Sequence, residues 1–148
     1  MNEFVVVDAS LAIKWLIEEE DSLLAQSILR IWERQNMRIV APFFMPFEVA
    51  NVVYRHVTAG SLTLQRAKFL ITNLLVDQIE LRHEWHLHSR AIELASQLNQ
   101  GAAYDSHYLA LAEQLDCELW TADARFFRAS NPVTQRVRLL SEAFAAED

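Results

Sequence analysis

Four carboxylates stand where an apolar element begins or ends. Asp8 follows the run Phe4-Val5-Val6-Val7, Glu48 lies within PFEVANVVYR, Asp105 sits at the mouth of YDSHYLALAEQL, and Asp123 comes two residues after ELWT. Oxygen donors of this kind select hard divalent cations, Mg2+ or Mn2+, over zinc. If the fold gathers the four at one rim, their repulsion and partial burial call for a cation to compensate them. Each acid also has an ordinary structural reading. Asp8 and Asp105 serve equally well as helix N-caps, while Glu48, Asn51 and Arg55, spaced i, i+3 and i+7, serve as the solvent face of a helix.

The elements that must position these residues follow from hydrophobic periodicity. Strands are expected at Phe4–Val7, Arg38–Ala41, Gln78–Leu81, Glu118–Thr121 and Val137–Leu140. Helices are expected near Leu11–Ile17, Leu23–Gln35, Pro46–Val57, Leu64–Val76, Leu87–Leu98, Asp105–Leu115 and Ala124–Arg128. Alternation of this kind builds a parallel sheet covered by helices on both faces. Ligands of such sheets bind at the carboxyl edge of the strands, which is where Asp8 and Asp123 fall. The helix holding Asp105 is so apolar that it must be central. Pro46 can open its helix at the first position, with Val49, Val53 and Val57 as the buried stripe.

Composition bounds the function. The chain has 148 residues, 52% of them hydrophobic, which suits one compact domain spanning residues 1–148. A single cysteine, Cys117, makes an intramolecular disulfide impossible and fits a reducing compartment; its simplest role is a small buried residue ahead of a strand. No apolar stretch of signal-peptide or membrane-spanning length occurs, so a soluble, cytoplasmic protein is expected, with no membrane partner. The net charge of −7 opposes attraction of the whole molecule to nucleic acid, but a cation held by converging acids reverses the local field for a phosphate. With only two glycines there is no phosphate loop of the GxGxxG or GxxxxGK[ST] kind, no flexible linker and no repeat.

Two other clusters invite functional readings. Glu18-Glu19-Glu20-Asp21 consists of consecutive residues that point around a helix end and cannot converge on one ion, so a solvated turn is expected. His83, His86 and His88 straddle a strand end and a helix start, with no fourth ligand at zinc-like spacing.

VVDASLAIKW, PFEVANVVYR, YDSHYLALAEQL and WTADARF, in that order from residue 4 to about residue 128, resemble the four acidic motifs of the PIN domain family and, within it, the VapC-like toxins of toxin–antitoxin systems. The resemblance implies a PIN-like three-layer α/β/α domain with a central, mostly parallel sheet of about five strands. It implies a metal-dependent endoribonuclease whose catalytic and metal-binding quartet is Asp8, Glu48, Asp105 and Asp123, with Ser10, Asn51 and Thr121 at supporting polar positions that orient the carboxylates. The cofactor implied is Mg2+ or Mn2+, one or two ions held chiefly by Asp8 and Asp105, with water attacking an RNA phosphodiester in line. Lys14 and Arg125 are candidates for backbone phosphate contacts or for plain surface roles. The partners implied are the RNA substrate, a cognate antitoxin protein and a second copy of the chain in a homodimer. Apolar helices around Phe43–Val57 and Leu64–Val76 either supply that interface or are core on both faces.

Two other function classes fit parts of the pattern. One is a non-cleaving RNA-binding or regulatory module that keeps the fold and the metal; an intact acidic quartet disfavours it. The other is a phosphotransfer domain with Asp8 as nucleophile, disfavoured because Ala9 and Ser10 follow Asp8 where such sites want a second acid.

Overall fold

The computed structural model describes residues 2–100 and 103–144. Five short strands, β1 (Phe4–Val7), β2 (Arg38–Pro42), β3 (Glu80–Arg82), β4 (Leu119–Thr121) and β5 (Val137–Leu139), form one sheet in the order β3-β2-β1-β4-β5. Every pairing is parallel, with Val5 opposite Ile39, Val6 opposite Leu119 and Trp120 opposite Arg138. Seven α-helices among the described residues connect them: α1 (Ala9–Leu16), α2 (Ser22–Arg34), α3 (Met45–Thr58), α4 (Leu64–Asn73), α5 (His86–Gln97), α6 (Tyr104–Leu115) and α7 (Ala124–Ser130).

The order of the strands decides where the helices lie. From β1 to β2 to β3 the chain steps one way across the sheet, and right-handed crossovers lay α1 to α4 on one face. From β3 it steps back past β1 to β4 and on to β5, so α5 to α7 cover the other face. Accordingly α1 packs on α2 and α3, while α5 and α6 pack on each other and α6 lies against β1 and β2. The reversal falls between β1 and β4, and the carboxyl ends of those two strands open the crevice where ligands of such sheets sit.

Burial follows the same plan. Val5, Val6 and Val7 have water on neither face of the sheet, and each fully buried aliphatic side chain contributes about 1.5–3 kcal/mol. Tyr108, Leu109, Ala110, Leu111 and Ala112 of α6 are all buried, because this helix is enclosed by the sheet and α5. On the opposite face Trp32 bridges Trp15 and Trp120, with ring centroids 6.3 and 5.7 Å away. Cys117 is a buried free thiol just ahead of β4, and burial pushes it up to about 11. No helix among the described residues is long and apolar enough to cross a membrane.

The largest departure from the periodicity is at α4. The helix expected to Val76 stops at Asn73 and widens into a π turn, Leu74–Gln78, in which Ile79 N–H bonds the Leu74 carbonyl. Widening the turn lets Leu74 and Ile79 both face inward, so β3 starts at Glu80, two residues later than expected. Pro46 occupies the first turn of α3, one position after its start at Met45.

Candidate active site

Asp8 leaves β1 at its carboxyl edge and is buried, 6% exposed. It does cap α1: its Oδ1 accepts from Leu11 N–H at 3.1 Å and from the Ser10 hydroxyl at 2.6 Å. Its other oxygen accepts from the Thr121 hydroxyl, at the end of the neighbouring strand β4. Burial raises this carboxyl to about 6; the bonds from Ser10, Thr121 and Leu11 hold it from going further, and the charge of Asp105 adds a smaller push upward. The cap and the functional reading therefore coexist, since Oδ1 carries the cap and Oδ2, which accepts only from Thr121, keeps a second lone pair.

Thr121 and Ser10 form the brace around Asp8. Their hydroxyls lie 3.3 Å apart; Ser10 Oγ accepts from Ala122 N–H at 3.0 Å and Thr121 Oγ1 from Asp123 N–H at 3.0 Å. The strand end of β4 is thereby tied to the start of α1. Asp123 caps α7, accepting from Arg125 N–H at 2.9 Å and Phe126 N–H at 3.3 Å.

Asp105 lies in the first turn of α6 but does not cap it. The cap position belongs to Ala103, which has no side-chain hydrogen bond to give. The expectation of a capping aspartate fails here because the helix starts one residue earlier, at Tyr104. Burial raises the Asp105 carboxyl, and the charge of Asp123 raises it further; Asp105 in turn raises both Asp8 and Glu48. Asp105 is thus linked by charge to each of the others, raised by Asp123 and itself raising Asp8 and Glu48.

Glu48 is in the first turn of α3, on the solvent edge, with its carboxyl end tucked against α6. Tyr108 O–H donates to Glu48 Oε1 at 3.2 Å. Burial raises Glu48, the Tyr108 bond opposes the rise, and Asp105 adds to it. Tyr108 itself is pushed well above the usual phenol range by burial and by the charges of Glu48 and Asp8, so it stays a donor. Glu48, Asn51 and Asp105 line one cavity of about 670 Å³ with Phe44, Phe47 and Tyr104.

The donor chemistry fits a hard divalent cation: every candidate is a carboxylate oxygen, and none of the four is in an ion pair with a basic side chain among the described residues. Acids elsewhere are treated differently, for Glu80, Glu113 and Glu118 each have an arginine partner within 2.6–2.8 Å. Of the four, Glu48 and Asp105 line the cavity, while Asp8 and Asp123 stand at the ends of the adjacent strands β1 and β4. Among the described residues no three His, Cys, Asp or Glu side chains already converge tightly enough to hold a metal ion.

The sequence profile of the family described as PIN domain matches residues 5–132. The chain belongs to the PIN domain family. No curated protein sequence matches it significantly. Among solved structures, PAE2754 from Pyrobaculum aerophilum resembles this PIN domain with a TM-score of 0.67 and 18% identity, over 96% of this chain and 94% of that one. VapC20 from Mycobacterium tuberculosis, a sarcin-ricin loop cleaving toxin, does so with a TM-score of 0.63 and 14% identity, over 84% and 94% of the two chains. At these identities the likeness is one of fold.

The structure also places the other residues that the sequence singled out in this PIN domain, and two that it did not. Lys14, in the last turn of α1, points away from the rim and binds the Glu20 carbonyl at 2.5 Å and Glu19 at 3.3 Å, so it is not placed to meet a phosphate at the acids. Arg125 is exposed in the first turn of α7, beside Asp123. Glu18, Glu19 and Glu20 form an exposed turn, as their spacing requires. Tyr108 was not singled out; its signal is a hydroxyl three residues after Asp105 in an otherwise apolar helix. His107 was also missed: together with His83 and His88 it makes one hydrogen-bonded chain, whereas His86 turns away to Gln114 and Glu84.

Proposed function

We propose that this PIN domain is a Mg2+- or Mn2+-dependent endoribonuclease that hydrolyses RNA phosphodiester bonds as the toxin of a toxin–antitoxin pair. The observation that supports the reading is that Asp8, Glu48 and Asp105 are raised by burial and, less strongly, by the charge of another of these acids, and that none of the four acids has a basic partner among the described residues. Asp8, Glu48, Asp105 and Asp123 would hold the ion, Asp8 and Asp105 chiefly. When bound, the ion lowers the pKa of water and neutralises charge developing on the phosphate.

The chain's own side chains supply the rest. Ser10 and Thr121 fix the Asp8 carboxylate from both sides, which leaves a lone pair of Oδ2, the oxygen that accepts only from Thr121, for the ion. Tyr108 holds Glu48 at the cavity wall, and Glu48, raised in pKa and open to solvent, suits the acceptance of a proton from the attacking water. Asn51 lines the same cavity as Glu48 and Asp105, and Arg125 is available for the RNA backbone.

The likeness in fold to VapC20, a sarcin-ricin loop cleaving toxin, supports the toxin part of the reading. An antitoxin and a second copy of the chain are the proposed protein partners, in the cytoplasm. Phe47 and Tyr54 of α3 with Leu64 and Phe69 of α4 are more than half exposed, so these helices are not core on both faces and carry apolar surface suited to an interface. The whole chain is read as a single functional domain.

The test is incubation of the purified protein with RNA in EDTA and after addition of Mg2+, Mn2+ or Ca2+. Cleavage should be absent in EDTA and return with Mg2+ or Mn2+ but not Ca2+, because water activation needs a small, strongly polarising ion. Cleavage that survives EDTA and dialysis refutes the metal mechanism.

A further inference from the structure

Next to the acidic cleft lies a second cavity, of about 330 Å³, whose lining is rich in rings: Phe43, Phe44 and Tyr104 together with His83, His88 and His107. It shares Phe44 and Tyr104 with the cavity that holds Glu48 and Asp105. The imidazoles are locked to one another. His107 Nδ1 lies 2.7 Å from the Ala103 carbonyl, which can only accept, so the proton is on Nδ1 and Nε2 is the acceptor. His88 Nδ1, 2.9 Å away, must then donate to His107 Nε2, and His83 Nε2, at 3.2 Å, must donate to His88 Nε2. In the neutral state only His83 Nδ1 is left as an open acceptor, and the three ring planes are fixed before anything binds.

We propose that this cavity takes a nucleobase of the RNA strand whose phosphate lies at the acids, so that it holds the strand in place for cutting; the inference rests on the nuclease reading above. Three observations favour a base over a phosphate or an ion. The cation at the wall, Arg82, is committed to Glu80 at 2.8 Å, and the Glu84 carboxylate beside it repels anions. The ring faces are pre-oriented, with Phe43 and His83 tilted by 43° at 5.4 Å and Phe44 edge-on to His107 at 5.6 Å, and such surfaces stack on bases whatever their sequence. Continuity through Tyr104, 66% exposed and adjacent in sequence to Asp105, puts the cavity directly beside the cleft.

Binding is tested without cleavage. Trp85 is 82% exposed and 4.9 Å from the His83 ring, while the other three tryptophans stack together on the opposite face, so Trp85 fluorescence reports on this cavity. In EDTA, a single-stranded RNA tetranucleotide should quench Trp85 and bind at least about fivefold more tightly than an abasic tetramer of equal charge, the range expected for one stacked base. Tyr104→Ala should erase that preference and Tyr104→Phe should keep it. Equal binding of the two tetramers, as expected if an apolar peptide is the real occupant, or a preference that survives Tyr104→Ala, overturns the proposal. Because cleavage is not the readout, a protein that passes this test but cuts no RNA refutes only the nuclease reading. One that cuts RNA but fails here refutes only the base site.

Discussion

The Tyr108 hydroxyl of α6 donates to Glu48 Oε1 of α3 across 3.2 Å, joining helices from opposite faces of the sheet at the rim of the acidic cleft. Tyr108 is 1% exposed and cannot ionise in its surroundings, so it acts on Glu48 as a fixed donor. Tyr108→Phe keeps the packing and deletes the bond. RNA cleavage should fall about tenfold through a misplaced Glu48, and the acid limb of its pH profile should move up, since the lost bond had held Glu48 down. An unchanged profile in the variant would show that Tyr108 only packs.

Asp8→Asn and Asp105→Asn should abolish cleavage, because each removes a charge from the proposed ion site while preserving shape. His86→Ala should leave cleavage nearly unchanged, for His86 is exposed and bonded to Gln114 and Glu84 away from the rim. Single-turnover rates on one RNA decide the ranking, and the reverse order would move the site to the histidines.

Asp105→Asn should raise the stability of the metal-free protein by about 0.5–2 kcal/mol, the size expected when a functional site is traded for stability. Asp105 accepts no capping hydrogen bond, so the loss is confined to a helix-dipole interaction of about 0.3–1 kcal/mol, against the relief of repulsion from Asp8, Glu48 and Asp123. Denaturant melts in EDTA and in excess Mg2+ check this. Mg2+ should stabilise the wild type more than the variant.

The metal-free protein should lose stability as pH rises. Asp8 has an ordinary pKa of 3.8 when unfolded and about 6 when folded, so between those values the native state binds its proton more tightly. Stability from this group is therefore present below about pH 4 and lost by about pH 6, at most about 3 kcal/mol, with Glu48 and Asp105 acting in the same direction. Melts at pH 5 and pH 7.5 in EDTA should show the loss, and Asp8→Asn should shrink it.

Ser106, beside Asp105 and fully buried, has a hydroxyl without a hydrogen-bond partner among the described residues. Ser106→Ala removes that unsatisfied group and favours the helix, so the protein should gain about 0.5–1.5 kcal/mol, or a few degrees in Tm, with cleavage intact. A less stable variant would mean that the hydroxyl has a partner in solution.

The sequence by itself determined what neighbours in the chain can encode. Val5-Val6-Val7 ends in a charge, so β1 and its exit at Asp8 were legible; ELWT followed by Asp123 repeated the signal, and 3.6-residue periodicity located every α-helix to within a few residues. The motifs that resemble a PIN domain are of this local kind, and the family match over residues 5–132 agrees with them. Tertiary structure decided what depends on crossovers. The bond of Thr121 to Asp8 joins residues 113 apart and that of Tyr108 to Glu48 residues 60 apart, and both exist only because the sheet reverses direction between β1 and β4. The same holds for the imidazole chain, whose His107 comes from a helix that the HEWHLH segment does not contain. Local periodicity could not show that Asp105 leaves the α6 cap to Ala103, or that Lys14 turns to the Glu20 carbonyl, because a side chain's partner is set by which backbone passes near it.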